Sequence, residues 1–440
     1  MLSREAKVGA AWLPVREPRR KARDVDIDLV LALFAGALLT FAAFSTVLQR
    51  ASLPGPLLCL CFGALVGPHA LDLMRIEDFG VPTGTLLEQA ARITLAVGLA
   101  GVALRLPHGY WRANARWIVV IIGLGMLLML LVATGVAWWG LGVPFLLALM
   151  IGATVTPTDP VVTTPIVTGS LAEEKVPEKV RHNLSAESGI NDGLGYLFVM
   201  LPVLLITRPD HAWQELLTKV LLWEVVGAAV FGAVAGLALG KLFILVRSRG
   251  LMEESSYLAF IVPLALLLLG VGKLLGTDAI LAVFVGAAVF GQVIPQREEA
   301  EEDKVHDAVA RLFLLPIFIL VGLALPVTEW VGLGWAPVLI LTAAVLLRRL
   351  VTIWALWPLL KSVHDRSEGA FLSWFAPIGV SALFYATLAE RHTGNHDIFA
   401  YATLAITISV LLHGLTSAPF SAWLHRREPQ RKEEHEEPTG

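Results

Sequence analysis

Charged residues are scarce in this sequence. Only 16% of its 440 residues are Asp, Glu, Lys or Arg, whereas 56% are hydrophobic. A soluble domain carries about 25% charged residues, so this composition excludes an ordinary soluble protein. It predicts a polytopic membrane protein in contact with lipid. The net charge of −3 gives no argument for a nucleic-acid partner, and none is expected.

Cysteine and the common catalytic motifs are also nearly absent. The two cysteines, Cys59 and Cys61, lie two positions apart on one apolar segment. They cannot easily bridge each other there, and we interpret them as small apolar residues. The sequence has no HExxH, Walker-type, GxSxG or paired CxxC motif. We therefore expect neither an enzyme nor an ATP-driven pump, and no zinc site or bound cofactor.

Long apolar runs fill most of the chain. A membrane-spanning helix needs about 20 mostly apolar residues, and this rule predicts an all-α protein with about thirteen spans. The spans lie near residues 27–48, 53–71, 85–105, 116–139, 144–168, 183–206, 216–246, 257–275, 278–295, 308–327, 335–361, 369–390 and 397–424. Polar tails, residues 1–25 and 426–440, flank this membrane domain (residues 26–425), and both are expected to be disordered.

Basic residues predict the orientation of the spans. Lys and Arg concentrate in the loops after odd-numbered spans, for example at Lys175, Lys179 and Arg181. Cytoplasmic loops of membrane proteins are enriched in Lys and Arg, so we place these loops and the C-terminal tail in the cytoplasm. We expect a multi-pass protein of the plasma or inner membrane. With thirteen spans the basic N-terminus would lie outside, against the rule, so its side stays open.

Two carboxylates interrupt the apolar sequence between residues 152 and 195. Asp159 lies between Pro157 and Pro160, and Asp192 lies between an asparagine and a glycine. An ionisable group at membrane depth is costly, and it predicts a functional site. A buried carboxylate takes a proton more readily than one in water, whereas a bound cation favours its ionised form. One such carboxylate can therefore exchange a proton for a cation.

Oxygen-bearing side chains surround both carboxylates in the sequence, as a hard monovalent cation requires. They are Thr156, Thr158, Ser188 and Asn191. In a helix, Ser188 and Asp192 share a face, whereas Glu187 lies on an adjacent face. Glu187 therefore needs its own partner, and Arg349 in the eleventh span is preferred to Arg348. The alternative for either arginine is that it snorkels to a membrane interface.

Two spans carry proline at their centre. The fifth has Pro157 and Pro160, and the twelfth has Pro377 followed by Gly379. Each break frees backbone groups that can bind an ion, and paired broken spans point to a transporter site near the middle of the membrane. Simple proline kinks are the alternative, but Asp159 within the first break favours an ion site.

These motifs resemble those of one family. Thr158-Asp-Pro160 followed by Glu187-Ser-Gly-Ile-Asn-Asp-Gly193 resembles the TDP and ES-x-x-NDG motifs of cation/proton antiporters of the NhaP and sodium/proton exchanger type. The segments Arg349–Trp354 and 276–285 resemble two further family segments, although Asp278 and Ala279 replace Ser-Gly in the second. Ile378 stands where many relatives have a basic residue, which puts the charge balance at the twelfth-span break in doubt.

The resemblance implies a fold and a function. It implies inverted repeats with two crossed broken helices, a homodimer, and an elevator mechanism that exchanges protons for Na⁺ or Li⁺. Core helices would lie within 85–206 and 308–424, and the other spans would form the dimerisation and linker region. The cation would bind at Asp192, Asp159, Thr158, Ser188 and Asn191. Asn191 in place of a second acid resembles the electroneutral branch.

Other functions stay open at this stage. The same family includes K⁺/H⁺ exchange. Two membrane-depth aspartates could also form the dyad of an intramembrane aspartyl protease, although the YD and GxGD motifs of such proteases do not occur at Asp159 or Asp192. A cation channel is the third alternative. Weaker candidates for pH sensing are His182, Lys273, Asp278 and His413.

Overall fold

The computed structural model describes residues 26–50, 53–159, 167, 170–251, 257–295, 312–360 and 365–436. Within these ranges every regular element is a helix, and no strand occurs. The prediction of an all-α protein is therefore confirmed. The tail at 1–25 and the last residues, 437–440, lie outside the described residues.

The helices follow the apolar segments of the sequence, and we number the longer ones in chain order. They are α1 Ile27–Arg50, α2 Gly55–Val66, α3 Thr83–Leu104, α4 Ala115–Leu141, α5 Phe145–Val155, α6 Glu178–Thr207, α7 Pro209–Ser248, α8 Tyr257–Leu274, α9 Ala279–Val293, α10 Leu312–Leu323, α11 Ala336–Leu356, α12 Arg366–Trp374, α13 Val380–Thr393 and α14 Asp397–Glu436. Helical turns at Ile76–Phe79, Tyr110–Ala113, Ser170–Lys175, Val327–Leu333 and Trp357–Leu359 lie between them.

Several of these helices can cross a membrane. Among the described residues, 7 helices are long and apolar enough, and α10 with the bent segment Val327–Leu333 makes an eighth span. The helices α2, α5 and α9 and residues Phe260–Leu274 are apolar but shorter. A multi-pass membrane protein is thus confirmed, whereas the count of about thirteen spans is not, because some of the predicted spans are short or broken helices.

The C-terminal segment differs from its prediction. The sequence predicted disorder from residue 426, but α14 continues to Glu436. Arg, Lys, Glu and Gln dominate this segment, and all four are good helix formers. Extending a helix that already exists needs no new nucleation, which explains how a polar segment remains helical after the apolar span ends.

Helix α6 lies at the centre of the site region and packs against α3, α5, α9 and α13. Glycines on α6 allow close approach of these neighbours. A Cβ atom at Gly193 would lie 2.8 Å from Leu281 of α9, and one at Gly195 would lie 2.5 Å from Pro157 and 2.8 Å from Tyr385 of α13. Real Cβ contacts are longer than this, so the two glycines are what lets α6 reach these three residues.

Candidate functional site

The first break follows α5. The helix ends at Val155, and Thr156 to Asp159 are non-helical and buried. Pro157 has no backbone N–H, and its ring disfavours helical geometry at the residue before it. The local sequence therefore ends the helix at membrane depth. Pro160, the second proline predicted at this break, lies outside the described residues.

The second break separates α12 from α13. Helix α12 ends at Trp374, helix α13 begins at Val380, and the residues between them are non-helical and almost entirely buried. Pro377 and Gly379 lie in this break, as the sequence predicted. The free backbone groups here cannot be solvated by lipid, so other parts of the protein must bind them.

Asp159 joins the two breaks. Its backbone N–H donates to the Pro377 carbonyl at 2.8 Å, and its carboxylate accepts a hydrogen bond from the Val380 N–H. Val380 is the first residue of α13, where backbone donors carry a partial positive charge. The carboxylate of Asp159 thus caps α13, and the two broken helices cross at this point.

Arg348 of α11 lies between the same breaks. Its guanidinium donates to the Thr156 carbonyl at 2.9 Å and to the Ala376 carbonyl at 2.6 Å, and its side chain is 0% exposed. Both carbonyls lie just beyond the C-terminal ends of α5 and α12, where the helix dipole is negative. Arg348 therefore supplies a cation to both breaks. The sequence analysis did not predict this role, because it considered Arg348 only as the less favoured partner for Glu187.

The role of Arg348 bears on Ile378. The Ile378 side chain is fully buried and carries no charge. Many members of the family that the motifs resemble have a basic residue at this position. Arg348 reaches the carbonyl of Ala376, two residues away, from a different helix. The positive charge that the break lacks in its own sequence is thus supplied from α11.

Glu187 and Arg349 form a buried ion pair. The two side chains are 1% exposed and bind each other through two parallel hydrogen bonds, one of them 2.7 Å long. Arg349 also donates to the Leu372 carbonyl of α12 at 2.9 Å. The pair joins α6, α11 and α12, and it uses a face of α6 that points away from Asp192.

We expect this pair to stabilise the fold and not to bind the transported ion. Glu187→Gln or Arg349→Met alone should lower the stability by about 3–5 kcal/mol, because the remaining buried charge loses its partner. Replacing both should recover part of that loss, since no unpaired charge remains. Melting temperatures of the two single variants and the double variant measure the coupling. Strictly additive losses, or a well-folded Glu187→Gln variant with greatly weakened cation affinity, would contradict this assignment.

Three uncharged polar side chains fix the first break to α6. The Asn191 side-chain oxygen accepts from the Thr158 N–H at 3.1 Å, and its nitrogen donates to Thr158 Oγ1 at 2.7 Å. The hydroxyls of Thr158 and Ser188 lie 3.1 Å apart. Ser188 and Asn191 are three residues apart, so both can reach Thr158 from one side of α6. Ser188, which the sequence grouped with Asp192, is instead bonded to Thr158.

Asp192 is the carboxylate at this site that has no hydrogen-bond partner among the described residues. Its side chain is 0% exposed, and neither oxygen makes a hydrogen bond to any residue that the structure describes. The Ser381 hydroxyl of α13 lies close to it, and Asp159 is near enough to repel its charge. A buried carboxylate without partners must hold a proton or a cation. Asp192 is therefore the group in this arrangement that is available to an ion.

Residues of α13 and α14 that the sequence did not single out, or assigned differently, complete the site. The Tyr385 hydroxyl donates to the backbone carbonyl of Asp192. Ser409 Oγ accepts from the Ile378 N–H at 2.8 Å, and His413 Nε2 lies 3.0 Å from the Trp374 carbonyl. His413 was a candidate pH sensor, but its Nε2 contacts the backbone carbonyl at the end of α12, and its Nδ1 contacts Ser409. No sequence pattern connects these residues to the breaks.

A multi-pass helical protein with two crossed broken helices around a buried carboxylate has the architecture of ion-coupled membrane transporters. Comparison with known proteins gives the family. The chain belongs to the sodium/hydrogen exchanger family, because the transmembrane model of that family matches residues 31–423.

Relatives of known name agree with this assignment. The chain is 30% identical over 434 residues to the Na⁺/H⁺ antiporter of Schizosaccharomyces pombe. The alignment covers 91% of this chain and 92% of that protein. It is 30% identical over 349 residues to Na⁺/H⁺ antiporter 2 of Zygosaccharomyces rouxii, covering 76% of this chain. The match spans only 42% of the Zygosaccharomyces protein, so this chain corresponds to less than half of that longer relative.

A solved structure has the same fold. The sodium proton antiporter MjNhaP1 from Methanocaldococcus jannaschii superimposes with a TM-score of 0.70, covering 91% of this chain and 99% of that chain. The sequences are 19% identical, so this likeness supports the fold alone. It confirms the predicted antiporter fold with its crossed broken helices.

Proposed function

We propose that this protein is a secondary antiporter that exchanges protons for Na⁺ across the membrane. The observation that carries the proposal is Asp192, a fully buried carboxylate whose two oxygens have no hydrogen-bond partner among the described residues. The names of the relatives, which are Na⁺/H⁺ antiporters, support Na⁺ over K⁺ as the cation. Li⁺ is the expected alternative substrate.

Competition for one carboxylate is sufficient for exchange. Asp192 binds either a proton or Na⁺, so loading one releases the other. Asp159 is near enough to act on Asp192 electrostatically. The hydroxyls of Thr158, which precedes Asp159, and of Ser188, one helical turn before Asp192, suit a hard cation. Asp159 contributes mainly through its charge, because its carboxylate also accepts the Val380 N–H. That hydrogen bond argues against an aspartyl-protease dyad, in which both carboxylates must be free to share a proton.

The exchange should be electroneutral. Asn191 carries no charge, and both its amide oxygen and its amide nitrogen are bonded to Thr158. Asp192 is then the acid that changes protonation, which gives one proton for each monovalent cation. We further propose a homodimer in the plasma or inner membrane, with the C-terminal tail in the cytoplasm.

Alternating access of the elevator type fits the connections at the site. Asp159 binds α13, Arg348 binds both breaks, and the Glu187–Arg349 pair joins α6 to α11 and α12. Broken helices held together by so many buried polar contacts should move as one body. The ion site would then be carried intact between the two sides of the membrane.

Purified protein in proteoliposomes tests this function. With a proton gradient imposed, external Na⁺ or Li⁺ should drive proton movement, whereas K⁺ should be much less effective. The initial rate should not change when the membrane potential is clamped with K⁺ and valinomycin in the Na⁺ assay, because no net charge moves. A larger response to K⁺ than to Na⁺ would assign the other cation, and a clear dependence on potential would exclude one-for-one exchange.

A further inference from the structure

A second pair of buried carboxylates lies outside the Asp192 site. Glu224 belongs to the π-helical part of α7, Leu216–Val226, and Asp278 immediately precedes α9. Their residues are 9% and 7% exposed. Asp278 also replaces the serine of the family-like segment at 276–285. π-Helical turns within α-helices occur frequently at functional sites, and Glu224 lies in such a turn.

The two acids lie next to each other and each keeps an oxygen without a partner. The Asp278 N–H donates to the Glu224 carbonyl at 2.9 Å. Asp278 Oδ1 caps α9 by accepting from the N–H groups of Ile280 and Leu281 at 3.1 and 3.2 Å. Asp278 Oδ2 and Glu224 Oε2 have no hydrogen-bond partner among the described residues. Capping therefore accounts for one carboxylate oxygen and leaves two buried oxygens unexplained.

The pair is connected to the Asp192 site through α6. Tyr196 lies one helical turn after Asp192, and its hydroxyl lies close to the Glu224 carboxyl group. The first turn of α9, which Asp278 caps, packs at Gly193 through Leu281. Tyr385 donates to the carbonyls of Asp192 and Gly193. The Glu224–Asp278 pair thus lies about one turn along α6 from Asp192, toward the end of the helix at Thr207.

A charged rim lies beyond the pair. Arg391 binds Glu88 at 2.8 Å and is half exposed, and Lys219 and Lys273 are exposed. All three basic groups are close enough to act electrostatically on Glu224, Tyr196 or Lys273. Their positive charge opposes a cation at the rim, so the attraction for an ion on the path to Asp192 comes from the two buried carboxylates.

We propose that Glu224 and Asp278 form a second site for a monovalent alkali cation, which the ion occupies between Asp192 and the membrane face at the Thr207 end of α6. The two unpartnered oxygens, with the nearby Glu224 carbonyl, offer the oxygen ligands that Na⁺ prefers. The proposed orientation places this face outside the cell, opposite the basic loop that precedes α6. The place of this site on the transport path rests on the proposed exchange function, whereas the binding of a cation by the two carboxylates does not.

Direct binding separates this site from the Asp192 site. Equilibrium binding of ²²Na⁺ to detergent-purified Asp192→Asn protein should retain one saturable component. That component should disappear when Glu224→Gln and Asp278→Asn are combined with Asp192→Asn, because both carboxylates then become neutral amides. Asn is as good a helix cap as Asp, so Asp278→Asn removes the charge and keeps the cap. Elution volume and melting temperature show that each variant is folded.

Transport provides the second measurement. In oriented proteoliposomes, Glu224→Gln with Asp278→Asn should raise the KM for Na⁺ about tenfold at the Thr207 side, since a loss of about 1.4 kcal/mol of cation binding is tenfold in affinity. The KM at the other side should change much less. Glu215→Gln is the matched control, because Glu215 lies on α7 but pairs with Arg208 at the surface; its KM should equal that of the parent.

Each outcome decides the inference. No ²²Na⁺ binding to Asp192→Asn, or binding that survives the two substitutions, would overturn it, as would an unchanged KM at both sides. A pair that only shares a proton would give the first of these results. Failure of the parent protein to exchange Na⁺ for protons would instead contradict the proposed function, and it would leave the Asp192→Asn binding result intact as the test of the second site.

Discussion

Asp192→Asn should reduce Na⁺-driven proton movement to the level of protein-free vesicles. The substitution keeps the shape of the side chain but removes the proton-binding group and the negative charge that a cation needs. Asp192 is the buried acid of the site whose oxygens are without hydrogen-bond partners among the described residues. No other acid there can take over, because Asp159 is engaged with Val380. The effect is measured in everted vesicles with a fluorescent pH indicator, as the dissipation of an imposed pH gradient after Na⁺ is added.

Folding must be separated from transport in this experiment. Asp192 makes no side-chain hydrogen bond to the described residues that the substitution would break, and the neutral amide removes the repulsion from Asp159. The melting temperature of Asp192→Asn should therefore equal or exceed that of the parent. Asp210→Asn, at an exposed acid in the first turn of α7, is the control and should transport normally. Substantial exchange by Asp192→Asn would show that another residue carries the ion.

Arg348→Met should strongly destabilise the protein and abolish exchange. The substitution leaves the Thr156 and Ala376 carbonyls without their donor, and each buried unpaired polar group costs about 1–3 kcal/mol. It also removes the charge that offsets two helix C-terminal ends at the crossing. The melting temperature in detergent and Na⁺-driven proton flux in proteoliposomes, with flux corrected for the amount of folded protein, measure the two effects.

Arg348→Lys distinguishes charge from geometry. Lysine keeps the positive charge, but it lacks the rigid fork that reaches two carbonyls at once. We expect Arg348→Lys to keep part of the stability and less of the transport rate. If Arg348→Met is as stable as the parent, the contacts with Thr156 and Ala376 contribute little. If Arg348→Lys is fully active, a single positive charge is sufficient where the broken helices cross, and the planar guanidinium geometry is not required.

The arrangement of charge around the crossing explains how the two neighbouring arginines differ. Arg349 binds a carboxylate and forms a neutral pair with Glu187, whereas Arg348 binds backbone carbonyls and a methionine sulfur among the described residues. The positive charge of Arg348 therefore remains at the two breaks, where it offsets the negative ends of α5 and α12.

The sequence by itself determined the class of the protein and predicted where its ion site lies. Apolar runs require a multi-pass helical protein, because lipid cannot bind free backbone groups. Pro157 and Pro377 end their helices by local sterics, whatever surrounds them. The i, i+4 geometry of α6 likewise predicts that Glu187 faces away from Asp192 and needs a basic partner. These features depend on neighbours in the chain, so they can be recognised without a fold.

Only the tertiary structure decided which distant groups meet. The assignment of Arg348 to Thr156 and Ala376, of Asp159 to Val380, and of Glu224 to Asp278 joins segments 28 to 221 residues apart. Local pattern cannot distinguish Arg348 from Arg349, which differ by about 100° around the same helix. The packing of α11 against the breaks gives one arginine carbonyls to bind and the other a carboxylate. Burial then makes each pairing obligatory, because an unpaired charge at that depth has no water to replace its partner.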